Sequence, residues 1–225
     1  ILSAGAIASP QLLELSGIGN PQILREHNVE PLHDLPGVGE NLQEHYMVPF
    51  LCRASEAVSM NEQSRGLSLL KELAKYALLR KGMLSNSGFH IQGYFKSRTE
   101  LDRSDIQIHF FPFTAEIDPE KAQKNKLEGE PGFTFMFTQM RPESRGHTHI
   151  QSNDSDSIPS IKPAMLIEAK DRRAYVDAVK YGRKILSRSA VKHIVAAELS
   201  PGLDANLDDQ ILNFALAAGV SKYRG

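Results

Sequence analysis

The chain has 225 residues and is 41% hydrophobic, which suffices for a sizeable core and excludes a disordered polymer. Lys plus Arg number 26 against 27 Asp plus Glu, a balance without the basic footprint of a nucleic-acid binder or a polybasic membrane patch. The one cysteine, Cys52, excludes an internal disulfide, and no apolar run approaches the ~18 residues of a membrane helix.

Taken in chain order, Ile1-Leu2-Ser3-Ala4-Gly5 reads as a short strand ending in small residues. Pro10 suits the first turn of a helix with Ser9 as its N-cap; Leu12, Leu13, Leu15 and Ile18 give that helix an apolar side, and Gly17 and Gly19 end it. A short helix over about 21–27 follows, then a loop at Leu35-Pro36-Gly37-Val38-Gly39. Leu69, Leu70, Leu73, Ala74, Ala77 and Leu78 recur at helical spacing within 64–80, which Lys81-Gly82 closes.

The middle of the chain alternates with period two. Phe89, Ile91, Gly93 and Phe95 form one such set, Ile106, Ile108 and Phe110 a second, and Phe133, Phe135 and Phe137 a third. Thr148 and Ile150, alternating with His147 and His149, form a fourth. This pattern predicts an antiparallel sheet of four or more strands within about 86–152, one face buried. The charged stretch 118–131 reads as a surface connection. Residues 170–189 give a strongly patterned helix. Tyr175, Ala178, Val179, Gly182, Ile185 and Leu186 face inward, while Lys170, Asp171, Arg172, Lys180, Arg183 and Lys184 face largely outward. A last helix spans about 207–217.

Four stretches carry a family resemblance. Gly5-Ala6-Ile7-Ala8-Ser9-Pro10-Gln11-Leu12-Leu13-Glu14-Leu15-Ser16-Gly17-Ile18-Gly19 resembles the second signature of the glucose–methanol–choline oxidoreductases. Gly37-Val38-Gly39-Glu40-Asn41-Leu42-Gln43-Glu44-His45 is similar to that family's glycine loop, with Glu44 where Asp more often precedes the histidine. Phe137-Thr138-Gln139-Met140-Arg141-Pro142-Glu143-Ser144-Arg145-Gly146 resembles the strand and turn that open the later part of its substrate domain, and Pro201-Gly202 with the last helix resembles the return into its flavin domain. The pattern is nearest to bacterial choline-dehydrogenase-like members. Neither end of the chain reads as a natural terminus, so it is expected to be an internal piece, with the family's dinucleotide fingerprint upstream of Ile1.

The resemblance implies an α/β plus α+β fold. Part of a Rossmann-like FAD-binding domain (1–85) would precede an antiparallel-sheet substrate domain backed by helices (86–200), with 201–225 returning to the first. It implies FAD as cofactor and a small-molecule alcohol as substrate, oxidised by hydride transfer to the flavin. Small residues at Ala4 and Gly5, with Ser9 nearby, would let the backbone approach FAD closely. The family's catalytic histidine follows an aromatic residue after the last helix; here those positions read Tyr223 and Arg224. Arginine stays protonated and has no acceptor nitrogen, so it cannot be the general base. Three readings of Arg224 stand: a second polar residue beyond Gly225 serves as base, the site takes an anionic substrate, or the last three residues are misaligned. An inactive piece is the blander alternative. Of the eight histidines, His45 lies in the glycine loop, and His90 and His109 lie on strands. His147 and His149 lie two apart without further ligands, so no metal is expected. The sequence leaves the particular alcohol, the electron acceptor, the oligomeric state and the cellular location open.

Overall fold

The computed structural model describes residues 1–56, 59–115 and 127–221. In chain order its elements are α1 (Gly5–Leu15), β1 (Ile18–Gly19), α2 (Pro21–Glu26), β2 (His33–Asp34), β3 (Tyr46–Ala54), α3 (Met60–Gln63) and α4 (Gly66–Leu79). Then come β4 (Ile91–Phe95), β5 (Ile106–Phe111), β6 (Gly132–Gln139), β7 (His147–His149) and β8 (Ser160–Lys162). The chain continues through α5 (Ala169–Leu186), α6 (Ser189–Lys192), β9 (Val195–Ser200), α7 (Asp208–Ala218) and β10 (Val220–Ser221). Two compact units result: 1–44 with 142–171, and 45–141 with 172–225.

The first unit is built from short elements. The expected strand over Ile1 to Gly5 is absent: α1 starts at Gly5, whose φ of +87° makes the bend, and the residues before it pair with no strand among the described residues. Extended backbone without a neighbour has nothing to hold it as a strand. Ser9 therefore lies inside α1 rather than capping it, and its Oγ accepts from the Ala4 amide at 3.1 Å. Pro10 also sits inside the helix, where it withdraws the amide that would pair with the Ala6 carbonyl. Asn20 caps α2 by accepting from the Gln22 amide at 2.9 Å, and Leu24 is fully buried beneath it. β1 pairs parallel with β2, and β7 antiparallel with β8. Asp171, expected to face outward, is buried instead. Its carboxylate accepts from the amides of Glu143 (2.9 Å) and Ser144 (2.7 Å), fixing the turn that leads into β7.

The second unit is a six-stranded antiparallel sheet in the order β10-β3-β6-β5-β4, with β9 also on β3. Three strands of the predicted range, β4, β5 and β6, lie in it; β7 pairs elsewhere, and β3, β9 and β10 are supplied from outside the range. Alternation marks a residue run as a strand but does not choose its partner. Paired residues share a face. Phe50, Phe135 and Phe110 form one cross-strand row of the core face, and Val48, Phe137 and Ile108 another. Onto this face α5 packs Ala174, Ala178 and Val179, all fully buried. Gly182 makes the close approach possible, since a Cβ there would lie 2.9 Å from the Phe137 ring. The Tyr175 hydroxyl donates to the Tyr46 carbonyl and accepts from the Gln139 amide at 3.1 Å. Arg183, also expected outward, turns in: it meets the Glu198 carboxylate at 2.8 Å and the carbonyls of Gly202 and Ala205 at 3.0 and 2.9 Å.

The apolar stripe of α4 behaves differently. Leu70, Leu73 and Leu78 are exposed, whereas Glu72 is buried. Hydrogen bonds from Lys75 and from the Met83 amide hold its carboxyl below the usual carboxylate range. No helix among the described residues is long and apolar enough to cross a membrane. Most of the charged connection expected over 118–131 lies outside the described residues.

Candidate functional site

In the first unit, α1, the 37–43 turn and β7 line an open cavity of about 690 Å³, with Ala6, Ser9, Gly37, Gly39, Asn41 and Thr148 among its walls. The lining follows from small residues and from stitching between segments. The Gly39 carbonyl accepts from the Thr148 amide at 2.7 Å, while Leu42 and Gly146 exchange backbone hydrogen bonds of 2.9 and 2.8 Å. Gly39 has a φ of +80°, and a Cβ on it would lie 2.2 Å from the Thr148 carbonyl oxygen, so only glycine fits there. The Thr148 hydroxyl is buried and has no hydrogen-bond partner among the described residues.

Of the residues expected at a cofactor, Ser9 lines this cavity and holds the Ala4 amide. Ala4 and Gly5 are exposed at the start of α1, immediately before the wall residue Ala6, and a Cβ on Gly5 would meet nothing within 4 Å. Tyr223 and Arg224 lie outside the described residues.

The sequence reading did not bring Glu14, Glu40 and His149 together. Glu14 is fully buried. Its carboxylate meets His149 Nδ1 at 2.7 Å and accepts from the Ile150 amide at 2.8 Å. The other ring nitrogen of His149, Nε2, lies 3.1 Å from a carboxylate oxygen of Glu40, in the glycine turn. A signal existed, since Glu14 stands alone in the apolar run of α1. The pattern around His147 and His149 placed both on one strand face, where their rings stack at 5.1 Å.

The second unit holds a cavity of about 350 Å³ on the sheet face away from α5. Pro49, Leu51, Thr134, Met136 and Phe111 come from the cross-strand rows of that face, and Ala218 and Val220 close it. Thr134 supplies the one hydroxyl of the described lining, and it donates to the Phe113 carbonyl at 2.8 Å. His109 lies on the same face, buried, with its ring 4.8 Å from that of Phe89. His45 Nε2 is 3.4 Å from the Met140 carbonyl oxygen.

Two models described as GMC oxidoreductase match residues 1–47 and 142–223. This chain belongs to the GMC oxidoreductase family. An oxygen-dependent choline dehydrogenase of Klebsiella pneumoniae is 35% identical over 222 residues, 97% of this chain and 39% of the relative. That of Escherichia coli K12 is 34% identical over 214 residues, 95% of this chain and 38% of the relative. The chain thus spans about two fifths of the length of these curated GMC relatives. Among solved structures, formate oxidase from Aspergillus oryzae RIB40 aligns with a TM-score of 0.84 at 20% identity, covering 99% of this chain and 43% of that one. Pyridoxine 4-oxidase from Mesorbium loti aligns with a TM-score of 0.76 at 24% identity, covering 98% and 38%. These two likenesses establish a shared fold.

The cofactor of GMC flavoenzymes is FAD, and the first-unit cavity has the donor set to fit part of such a dinucleotide. Its wall offers the open backbone of Gly37 and the Ser9 and Asn41 side chains.

Proposed function

We propose that this protein is an FAD-dependent GMC oxidoreductase that oxidises an alcohol at its CH–OH carbon. The observation that carries the reading is the first-unit cavity, whose small-residue wall is formed by the two segments that match the family. When bound, FAD supplies the acceptor for the hydride leaving the alcohol carbon. Ser9 and Asn41 hold the dinucleotide. The second-unit cavity takes the alcohol, its Pro49, Leu51, Phe111 and Met136 walls excluding water and packing the carbon body. The relatives' names make choline one candidate alcohol.

In this reading the family resemblance puts Tyr223 and Arg224 beside the flavin ring. A guanidinium there donates but cannot take the hydroxyl proton, which passes to another acceptor. Arg224 also motivates a second reading, an anionic substrate held by charge-assisted hydrogen bonds.

The test is anaerobic addition of alcohols to the flavin-loaded full-length protein. Loss of oxidised-flavin absorbance with choline or a neutral alcohol supports the main reading, and loss confined to carboxylate-bearing substrates supports the second. A flavin that stays oxidised with every compound refutes both. Arg224→His should raise the rate with neutral alcohols; no change with either class would remove Arg224 from the flavin face.

A further inference from the structure

The wall of the second-unit cavity is built to meet carbon. Residues paired across antiparallel strands share a face, so Pro49, Met136 and His109 form one row of this face, and Leu51, Thr134 and Phe111 the next. Met136 stands on β6 and is half-buried, whereas its neighbours Phe135 and Phe137, on the opposite face, are buried in the core. Its unbranched thioether therefore borders the cavity and can adjust to the shape of what lies there. Phe111 and Phe113, edge to face at 5.5 Å, add two aromatic rings to the wall. The polar groups nearby are already engaged. Thr134 donates its proton to the Phe113 carbonyl at 2.8 Å. Near the end of β3, the Glu128 carboxylate is held by Arg53 at 3.2 Å and by the Thr114 hydroxyl at 2.8 Å. Covering apolar carbon with such a wall is favourable. A cation entering it would shed water, and none of the described lining residues carries a carboxylate to replace that water. Tryptophan, the strongest aromatic partner for a cation, does not occur in the chain.

We propose that the substrate is an uncharged alcohol with a branched or aromatic apolar body, and that Met136 is a specificity-determining residue that packs against this body. The inference rests on the alcohol oxidation proposed above and narrows its substrate class. Choline, the alcohol in the relatives' names, is a cation and the poorer fit to this wall.

The experiment uses a matched pair of substrates: choline, and tert-butylethanol, its neutral isostere with carbon in place of the ammonium nitrogen. Flavin reduction is followed anaerobically in the full-length holoprotein, with benzyl alcohol and glycerol as further probes. The isostere should reduce the flavin with a second-order rate constant on the order of tenfold or more above that of choline, and benzyl alcohol should likewise exceed glycerol. Met136→Gln keeps the length of the side chain and sets an amide against the bound body. It should lower the rate constant with tert-butylethanol about tenfold and that with glycerol far less, a change in selectivity that a purely structural role would not produce. Met136→Leu, the apolar replacement, should keep the wild-type order of preference. Choline equal to or better than its isostere overturns the proposal, and so does a preference for glycerol. A selectivity that Met136→Gln leaves unchanged overturns the role given to Met136. A wild-type flavin that none of the alcohols reduces refutes the functional reading instead, and the two failures are thereby distinguished.

Discussion

The two cavities are made from opposite materials. In the first unit, loops and two-residue strands form the wall, and their shape depends on a few specific polar bonds: Asp171 to the Glu143 and Ser144 amides, Thr148 to Gly39, and Glu14 to His149 and Ile150. In the second, a sheet face forms the wall, and its shape depends on rows of side chains backed by the aromatic core and α5. The contrast teaches where each site is vulnerable. A polar scaffold fails at single atoms, whereas an apolar one yields by degrees, because dispersion and burial are spread over many contacts.

The largest expected effect is on the polar side. Glu14→Leu leaves the His149 ring and the Ile150 amide without their buried acceptor, and breaking such a pair costs roughly 3–5 kcal/mol. Urea denaturation should show that loss together with loss of bound flavin. A change below about 1 kcal/mol would erase the contrast, placing the polar scaffold on the graded footing of the sheet.

How much of this was legible in the sequence follows the same division. The inward stripe of α5, including Tyr175, Ala178, Val179 and Gly182, could be read from helical spacing because burial on one face is a periodic property. The alternation of Phe133, Phe135 and Phe137 likewise announced the core face of β6. The polar scaffold was not legible. Asp171 and Arg183 read as outward charges, yet each is drawn in by partners from other segments: Ser144 for the first, Glu198 and the Gly202 and Ala205 carbonyls for the second. Spacing reports which face a residue occupies, not which distant amide or carboxylate waits there. The start of α1 was missed for a related reason, since Ile1 to Gly5 has strand-like composition but no strand beside it among the described residues. The family motifs singled out Ser9 and the glycine loop over 37–39, and both line the first-unit cavity.

A second test on the polar side is smaller. Gly39→Ala forces a Cβ to 2.2 Å from the Thr148 carbonyl oxygen at a φ of +80°, and should cost about 1–3 kcal/mol with a matching loss of flavin. Full retention of both would mean that the turn is not fixed to β7 as described.

On the apolar side, Gly182→Ala brings a Cβ to 2.9 Å from the Phe137 ring, whose far end can shift. Overpacking costs about 1–3 kcal/mol and the helix gains nearly 1 kcal/mol from alanine, so a net loss of about 1 kcal/mol is expected in the same denaturation assay. A loss as large as that of Glu14→Leu would show that the sheet, too, fails at single atoms.

The smallest effect is chemical. Cys52 is buried in the core of β3, and burial together with the nearby Glu198 charge pushes its thiol well above the usual range. A thiol reagent should modify it only at the rate of unfolding, and fast labelling of the native protein would contradict the tight packing of β3 between β6 and β9.

The most direct test of the central claim is an experimental structure of the full-length protein with FAD bound. The account predicts cofactor atoms within about 4 Å of Ser9, Thr148 and the Gly37–Asn41 backbone, with the Glu40 carboxylate still on His149. A flavin bound more than ~10 Å from these residues would contradict it, because close approach of a cofactor is the role given to the open wall at Ala6, Ser9 and Gly37.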